Sequence, residues 1–226
     1  MHDDLNTATN MSTNPNNQTP KTYSGDGSHL DVDGIYWEDV ARRDRVALCN
    51  YTFFEPMGPD QLQFRFLNED VRVDLSDHCL LRNRQGMWQV DDDPLLMLAT
   101  VVYLRNINAV YPLGNDMVGV KDLKEGHFFA GPHELRTAAL VERFGSDPQA
   151  FRKAGAALDG QPLDMADVAV RLLPFPRVPL YFLLWLGDDE FQPGVQVLFD
   201  RSIEACLPAD AIWALVNRVA RALAQA

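Results

Sequence analysis

Cysteine is scarce in this chain, and its placement rules out the usual uses. Cys49, Cys79 and Cys206 are an odd three, far apart, with no C-x-x-C pair, so neither a disulfide framework nor a thiolate-bound cluster is indicated. Reduced, mostly buried thiols are the expectation. Positive charge is also short: 20 Lys and Arg stand against 32 Asp and Glu, a formal net charge of -12. Such a field repels phosphate backbones and anionic lipid, so neither nucleic acid nor a membrane surface is an expected partner. Long apolar runs are missing too. The longest, Val178 to Leu186, is interrupted by Pro179 and is far too short to span a bilayer. The opening residues MHDDLNTATN have neither the basic start nor the apolar stretch of a secretory signal, which makes the cytoplasm the expected location. There is no GxGxxG after a strand, no P-loop and no GxSxG elbow, so nucleotide binding and serine hydrolysis find no support. Cys79 beside His78 would point to the opposite face of a strand, which argues against a cysteine nucleophile.

Apolar residues make up 46% of the chain and charged ones 23%, an ordinary globular balance that supports one sizeable core. The expected architecture is a single α+β domain over residues 34–226, a mostly antiparallel sheet packed with helices. Residues 1–33 are rich in Asn, Thr, Ser, Asp and Gly and should form a disordered tail, because so little apolar surface cannot offset the entropy of ordering.

Local signals fill in the rest. Asp33 is a candidate N-cap for an amphipathic helix running through Val40 to Ala47. Leu62, Phe64 and Phe66, then Val71, Val73 and Leu75, alternate with polar residues and predict a hairpin linked through Asn68-Glu69-Asp70, with a further short strand over Gly86–Val90. Asp91-Asp92-Asp93-Pro94 reads as the start of a central helix reaching Val110. Gly131-Pro132 should open another helix, ending at Gly145, and Asp147-Pro148 a third, ending near Gly160. Strands Leu180–Leu186 and Val195–Phe199 should pair antiparallel, since eight residues are too few for a crossover. A C-terminal helix should bury Ile212, Leu215, Val216, Val219 and Leu223 and turn Asn217, Arg218 and Arg221 outward.

Three stretches are candidates for chemistry. Asp188, Asp189 and Glu190 crowd the link between the last two strands, and Asp200, ending the returning strand, is expected near them. Such carboxylates could hold a hard cation or raise one another's pKa for acid-base work, although a solvated acidic loop explains them more simply and no calcium-loop spacing is present. His127, His133 and Glu134 bracket a helix start in GHFFAGPHEL, where imidazole beside carboxylate could ligate a transition metal or a tetrapyrrole iron. HExxH is absent, and the plainer explanation is hydrogen bonding to the first helical turn. Finally, Pro174, Pro176 and Pro179 should hold residues 173–179 extended as an edge or wall. Arg177 projects from this wall, free to hold a carboxylate or phosphate or, more economically, to pair with the acidic tip. Phe182 and Trp185 read first as core, with Trp185 the candidate aromatic platform of a cofactor site.

The text Pro179 to Phe191, with its W-x-G-D-x-E-F pattern, followed by Val197-Leu198-Phe199-Asp200, Leu207-Pro208-Ala209-Asp210 and the earlier GPHEL at Gly131 to Leu135, resembles the bacterial and archaeal DUF3786 family over about Ile35 to Leu223. That resemblance implies an association with anaerobes, and in some members fusion to an iron–sulfur cluster domain, hence accessory work in redox or corrinoid chemistry. No cysteine precedes Cys49, so this chain is expected to carry no such cluster itself.

Three functional expectations follow. The first is a binding or accessory protein that recognises a metal-containing cofactor, haem or corrinoid, or a redox, corrinoid or iron–sulfur partner protein, in a pocket between GPHEL and the acidic hairpin. The alternative is a hydrolase-like enzyme using Asp188, Glu190 and His133, with a divalent metal, which requires those groups to share one cleft. A plain interaction domain, docking a partner through the strand pair and terminal helix, is a third.

Overall fold

Aspartates set the helix starts. In the computed structural model, which describes residues 31–114 and 116–226, the Asp33 carboxylate accepts from the Ile35 N–H at 3.0 Å and opens α1 (Gly34–Ala41). The expected tail therefore lies outside the described residues except for its last three, of which Val32 is buried in the core. The single helix expected through Ala47 is divided, because Asp44 competes as a second N-cap, accepting from Ala47 N–H at 2.7 Å to start α2 (Arg45–Thr52). Phe53, at φ 60°, ends α2 and turns the chain into β1 (Glu55–Pro56).

Then come β2 (Gln61–Phe66), β3 (Glu69–Asp74), β4 (Cys79–Arg84) and β5 (Met87–Asp91), an antiparallel sheet in order β1-β2-β3-β4-β5. The predicted hairpin is present, although Phe66 pairs with Glu69, so its link is Leu67-Asn68 alone. β4 escaped the alternation test because its inward positions are Leu80 and the charged Arg82.

Asp93 accepts from the N–H groups of Leu95 and Leu96 and starts α3 (Pro94–Asn106), with Pro94 in the first turn as expected. The helix stops short of Val110, its last carbonyls (Leu104 at 2.6 Å, Arg105 at 2.9 Å) taken by the Arg43 guanidinium. After β6 (Met117–Gly119), the helix predicted from Gly131 is replaced by single 3-10 turns at 126–128 and 131–133. Only later does α4 (Ala138–Phe144) form, followed by α5 (Pro148–Ala157), capped by Asp147.

The second antiparallel sheet comprises β7 (Gln161–Leu163), β8 (Val168–Phe175), β9 (Val178–Trp185) and β10 (Gly194–Asp200), ordered β6-β10-β9-β8-β7. Its predicted β9–β10 pairing is antiparallel. The proline stretch is no edge: it is the turn between the two central strands, and a register shift between Leu172 and Phe175 absorbs Pro174. α6 (Ile203–Cys206) and α7 (Ala209–Gln225) close the chain.

One aromatic cluster joins the layers. Phe54 stacks on Phe64 of the first sheet at 4.4 Å, and Tyr103 of α3 stacks on Phe175 of the second at 4.8 Å. β9 is apolar on both faces because Leu180, Phe182 and Leu184 enter this core while Tyr181 and Leu183 enter a smaller one behind it. The architecture is α+β, as expected.

Candidate functional site around residues 131–136

The segment Gly131 to Arg136 fails to become a helix because α7 takes its backbone groups. Trp213 donates its indole N–H to the Glu134 carbonyl at 3.3 Å, and the Arg136 N–H donates to Asn217 Oδ1 at 2.8 Å. These bonds, together with Gly131 at φ 58°, hold the segment partly extended over α7. Its successive side chains then enter three different cavities.

His133 lines the first, of about 320 Å³. Its ring stacks on Phe128 at 4.3 Å between centroids and meets Trp213 edge-on at 6.1 Å. Leu98, Pro208 and Ala209 complete the apolar wall, and Glu125 and Asp210 bring carboxylates to it. Both acids sit at the amino end of α7, where the dipole favours them: Glu125 accepts from Ala209 N–H at 3.3 Å and Asp210 from Ala211 N–H at 2.8 Å.

The other predicted residues are dispersed. His127 is exposed in the preceding turn and does not line this cavity. Glu134 faces a separate cavity of about 470 Å³ with Lys121, Thr137 and Gln196. Arg177, at the β8–β9 turn, donates to the Tyr111 carbonyl at 2.5 Å and lies over the Phe53 ring at 5.2 Å. It therefore does not pair with the acidic tip, which is at the other end of β9. Phe182 is core as expected, but Trp185 is not: it is 47% exposed at the tip end of that strand.

Asp188, Asp189 and Glu190 are exposed in the β9–β10 loop, where Asp188 Oδ1 accepts from the N–H groups of Glu190 at 2.8 Å and Phe191 at 2.7 Å. Those two N–H donors, Phe191 first, hold the Asp188 carboxyl below its ordinary range. Asp200 is not near them. β10 pairs Gly194 with Trp185 beside the loop and Phe199 with Leu180 at the far end, so Asp200 lies about 20 Å away at the usual strand rise. It is buried there, accepting from Ser202 N–H at 3.0 Å. Among the described residues no three His, Cys, Asp or Glu side chains gather as a metal set. No residue of the acidic tip lines the His133 cavity, so the pocket expected between the two, and the acid-base trio of Asp188, Glu190 and His133, are not assembled.

Sequence reasoning missed the buried charges. Arg82 donates through Nε to Asp91 at 2.8 Å and also reaches Glu69. Burial alone would depress the Arg82 pKa, but Asp91 and then Glu69 outweigh it and raise the value. Arg218, expected outside, is buried against the Phe66 ring and pairs with Asp93 at 2.8 Å, a carboxylate that Arg221 also approaches at 3.2 Å. Desolvation, partly countered by Asp93, leaves the Arg218 pKa lowered. Asn217 is buried as well.

The sequence profile of one family, Domain of unknown function (DUF3786), matches residues 46–222, from the start of α2 into the last turns of α7. The chain belongs to the DUF3786 family. The match contains every candidate residue named above, including the whole segment 131–136 and the α7 residues that hold it. No curated protein matches the chain, and no solved structure does. In this DUF3786 member one imidazole, two aromatic faces and two carboxylates border the His133 cavity. The residues fit a whole tetrapyrrole poorly, since the cavity is at the small end of ligand pockets and its carboxylates would oppose the acidic side chains of a haem. No described helix is long and apolar enough to cross a membrane.

Proposed function

We propose that this DUF3786 protein is a binding or accessory protein, and that its ligand is a small molecule, or a side chain of a partner protein, with a positively charged group on a short apolar body. The observation that carries the reading is the His133 cavity: Phe128 and Trp213 offer ring faces and edges, and Glu125 and Asp210 offer negative charge, in one hollow. A cation moved from water to such walls keeps favourable electrostatics through carboxylate and π-face while its apolar body loses contact with water. The redox or corrinoid partner implied by the family resemblance enters this reading as a macromolecule presenting a lysine or arginine side chain to the cavity.

Titration with benzylamine, followed by tryptophan fluorescence, tests the reading against benzyl alcohol, which has the same body without the charge. Saturable quenching by benzylamine is expected, weakened about tenfold in His133→Ala and in Glu125→Gln, a loss of about 1.4 kcal/mol. Equal responses to the amine and the alcohol, or variants that bind as well as the parent, would sink it.

A further inference from the structure

On the side of residues 131–136 away from His133, Arg136 lines a cavity of about 340 Å³ with Asn217 and Arg221. Gln225 is the fourth polar side chain on its wall, and among the described residues no carboxylate lines the space. Asn217 is only 3% exposed. Its Oδ1 already accepts from the Arg136 N–H, and a backbone N–H can bond only to the oxygen, so the amide orientation is fixed and Nδ2 is the group left over. Among the described residues neither Asn217 Nδ2 nor Arg136 Nη2, both shielded, has an acceptor. A shielded donor without an acceptor costs about 1–3 kcal/mol, so both donors would gain from an oxygen acceptor reaching them from the cavity that their side chains line.

The neighbouring charges agree with this. Arg221 and Arg218 share the single carboxylate of Asp93, and Arg136, on the same cavity wall as Arg221, forms no ion pair among the described residues. This is a cationic spot in a chain of net charge -12. Leu95, Ala139 and Ala220 provide an apolar floor. Guanidinium with amide is a donor set that matches the paired oxygens of a carboxylate or the oxygens of a phosphate.

We infer that Arg136, Asn217 and Arg221 form a binding site for a small oxyanion, a carboxylate or phosphate group on a short apolar body, separate from the His133 cavity and opposite to it in charge preference. The anion supplies acceptors to Asn217 Nδ2 and Arg136 Nη2, and Arg221 screens its remaining charge.

Thermal unfolding in inorganic phosphate and in butyrate, each compared with chloride at equal ionic strength, provides the test. At least one of the two anions should raise the melting temperature saturably above the chloride control; a preference for butyrate assigns a carboxylate ligand and a preference for phosphate a phosphoryl one. Arg136→Gln should weaken that response at least tenfold. Asn217→Asp should abolish it, since the new carboxylate keeps the bond from Arg136 N–H and itself supplies the missing acceptor. If either change lowers the starting stability, Arg221→Gln, at a half-exposed side chain, gives the same reading with the fold intact. Glu190→Gln, at the remote loop, should respond like the parent. A chloride response equal to that of both anions, or undiminished responses in Arg136→Gln and Arg221→Gln, overturns the inference.

Discussion

Two runs of three consecutive acids, Asp91-Asp92-Asp93 and Asp188-Asp189-Glu190, look alike in the sequence and are opposites in the structure. The second run lies in an exposed loop, where the partners of the Asp188 carboxylate among the described residues are its own loop's N–H groups. In the first run, Asp91 is 5% exposed and bound to the buried Arg82, while Asp93 caps α3 and anchors Arg218 and Arg221 of α7. The difference teaches that a carboxylate acquires structural weight from what the rest of the chain brings to it, not from acidic neighbours. The loop tip receives its own backbone N–H groups, whereas the junction of β5, α3 and α7 receives three guanidiniums.

The largest effect should come from breaking the buried pair. Asp91→Ala leaves the buried Arg82 with only the part-exposed Glu69 to offset its charge and should cost about 3 kcal/mol in urea unfolding, the low end for a broken buried pair. Replacing both partners, Asp91→Leu with Arg82→Met, should recover much of that loss, because the penalty belongs to the uncompensated charge rather than to the pair. A single variant as costly as nothing more than a surface change would dissolve the contrast between the two runs.

Asp74 provides an intermediate case. It has the same local turn as Asp188, accepting from Ser76 N–H and Asp77 N–H at 3.0 Å each, but it is buried and also accepts from the Gln61 amide. Burial pushes its pKa up, and the Ser76 hydroxyl, the Asp77 N–H and Gln61 together more than reverse this, so the folded value is lowered. A carboxyl depressed on folding stabilises fully above its unfolded pKa of about 4, and that contribution disappears as pH falls through the lower folded value. Asp74→Asn should therefore cost about 1 kcal/mol at neutral pH, and the gap from the parent should close as urea midpoints are followed down from pH 5 toward pH 3. A gap unchanged over that range would show that charge is not what matters at Asp74.

What could be read from the sequence was whatever a few adjacent residues decide. Asp33, Asp93 and Asp147 cap helices as predicted, and the alternation of Leu62 to Val73 gave a correct hairpin, because capping bonds and cross-strand pairs form within a short stretch of chain. Residues 131–136 were misread as helix because the bonds that hold them open come from Trp213 and Asn217, about eighty residues later. Arg218 and Asn217 were assigned outward because a helical wheel gives polar residues to solvent, and nothing local reveals that α3 and the first sheet close over that face of α7. His133 was named as a candidate site residue, and the structure gives it neighbours other than the acidic tip. Phe128 was a sequence neighbour within reach of the argument, whereas Glu125, Asp210 and Trp213 become neighbours only once α7 docks. Asp200 was misplaced for a simpler reason: an antiparallel strand carries its last residue away from the loop it leaves.

The smallest expected effect is at the tip itself. Asp189→Asn and Glu190→Gln alter exposed side chains, and each should shift unfolding by no more than about 0.5 kcal/mol. Calcium should likewise produce no saturable rise in melting temperature that these changes remove, because a hard cation needs six or more oxygens converging on one point. Here Asp188 is committed to two backbone donors, and Asp200 sits at the other end of its strand. A calcium-dependent stabilisation lost in Glu190→Gln would mean that the loop gathers ligands in solution, and the two acidic runs would then differ in partner rather than in kind.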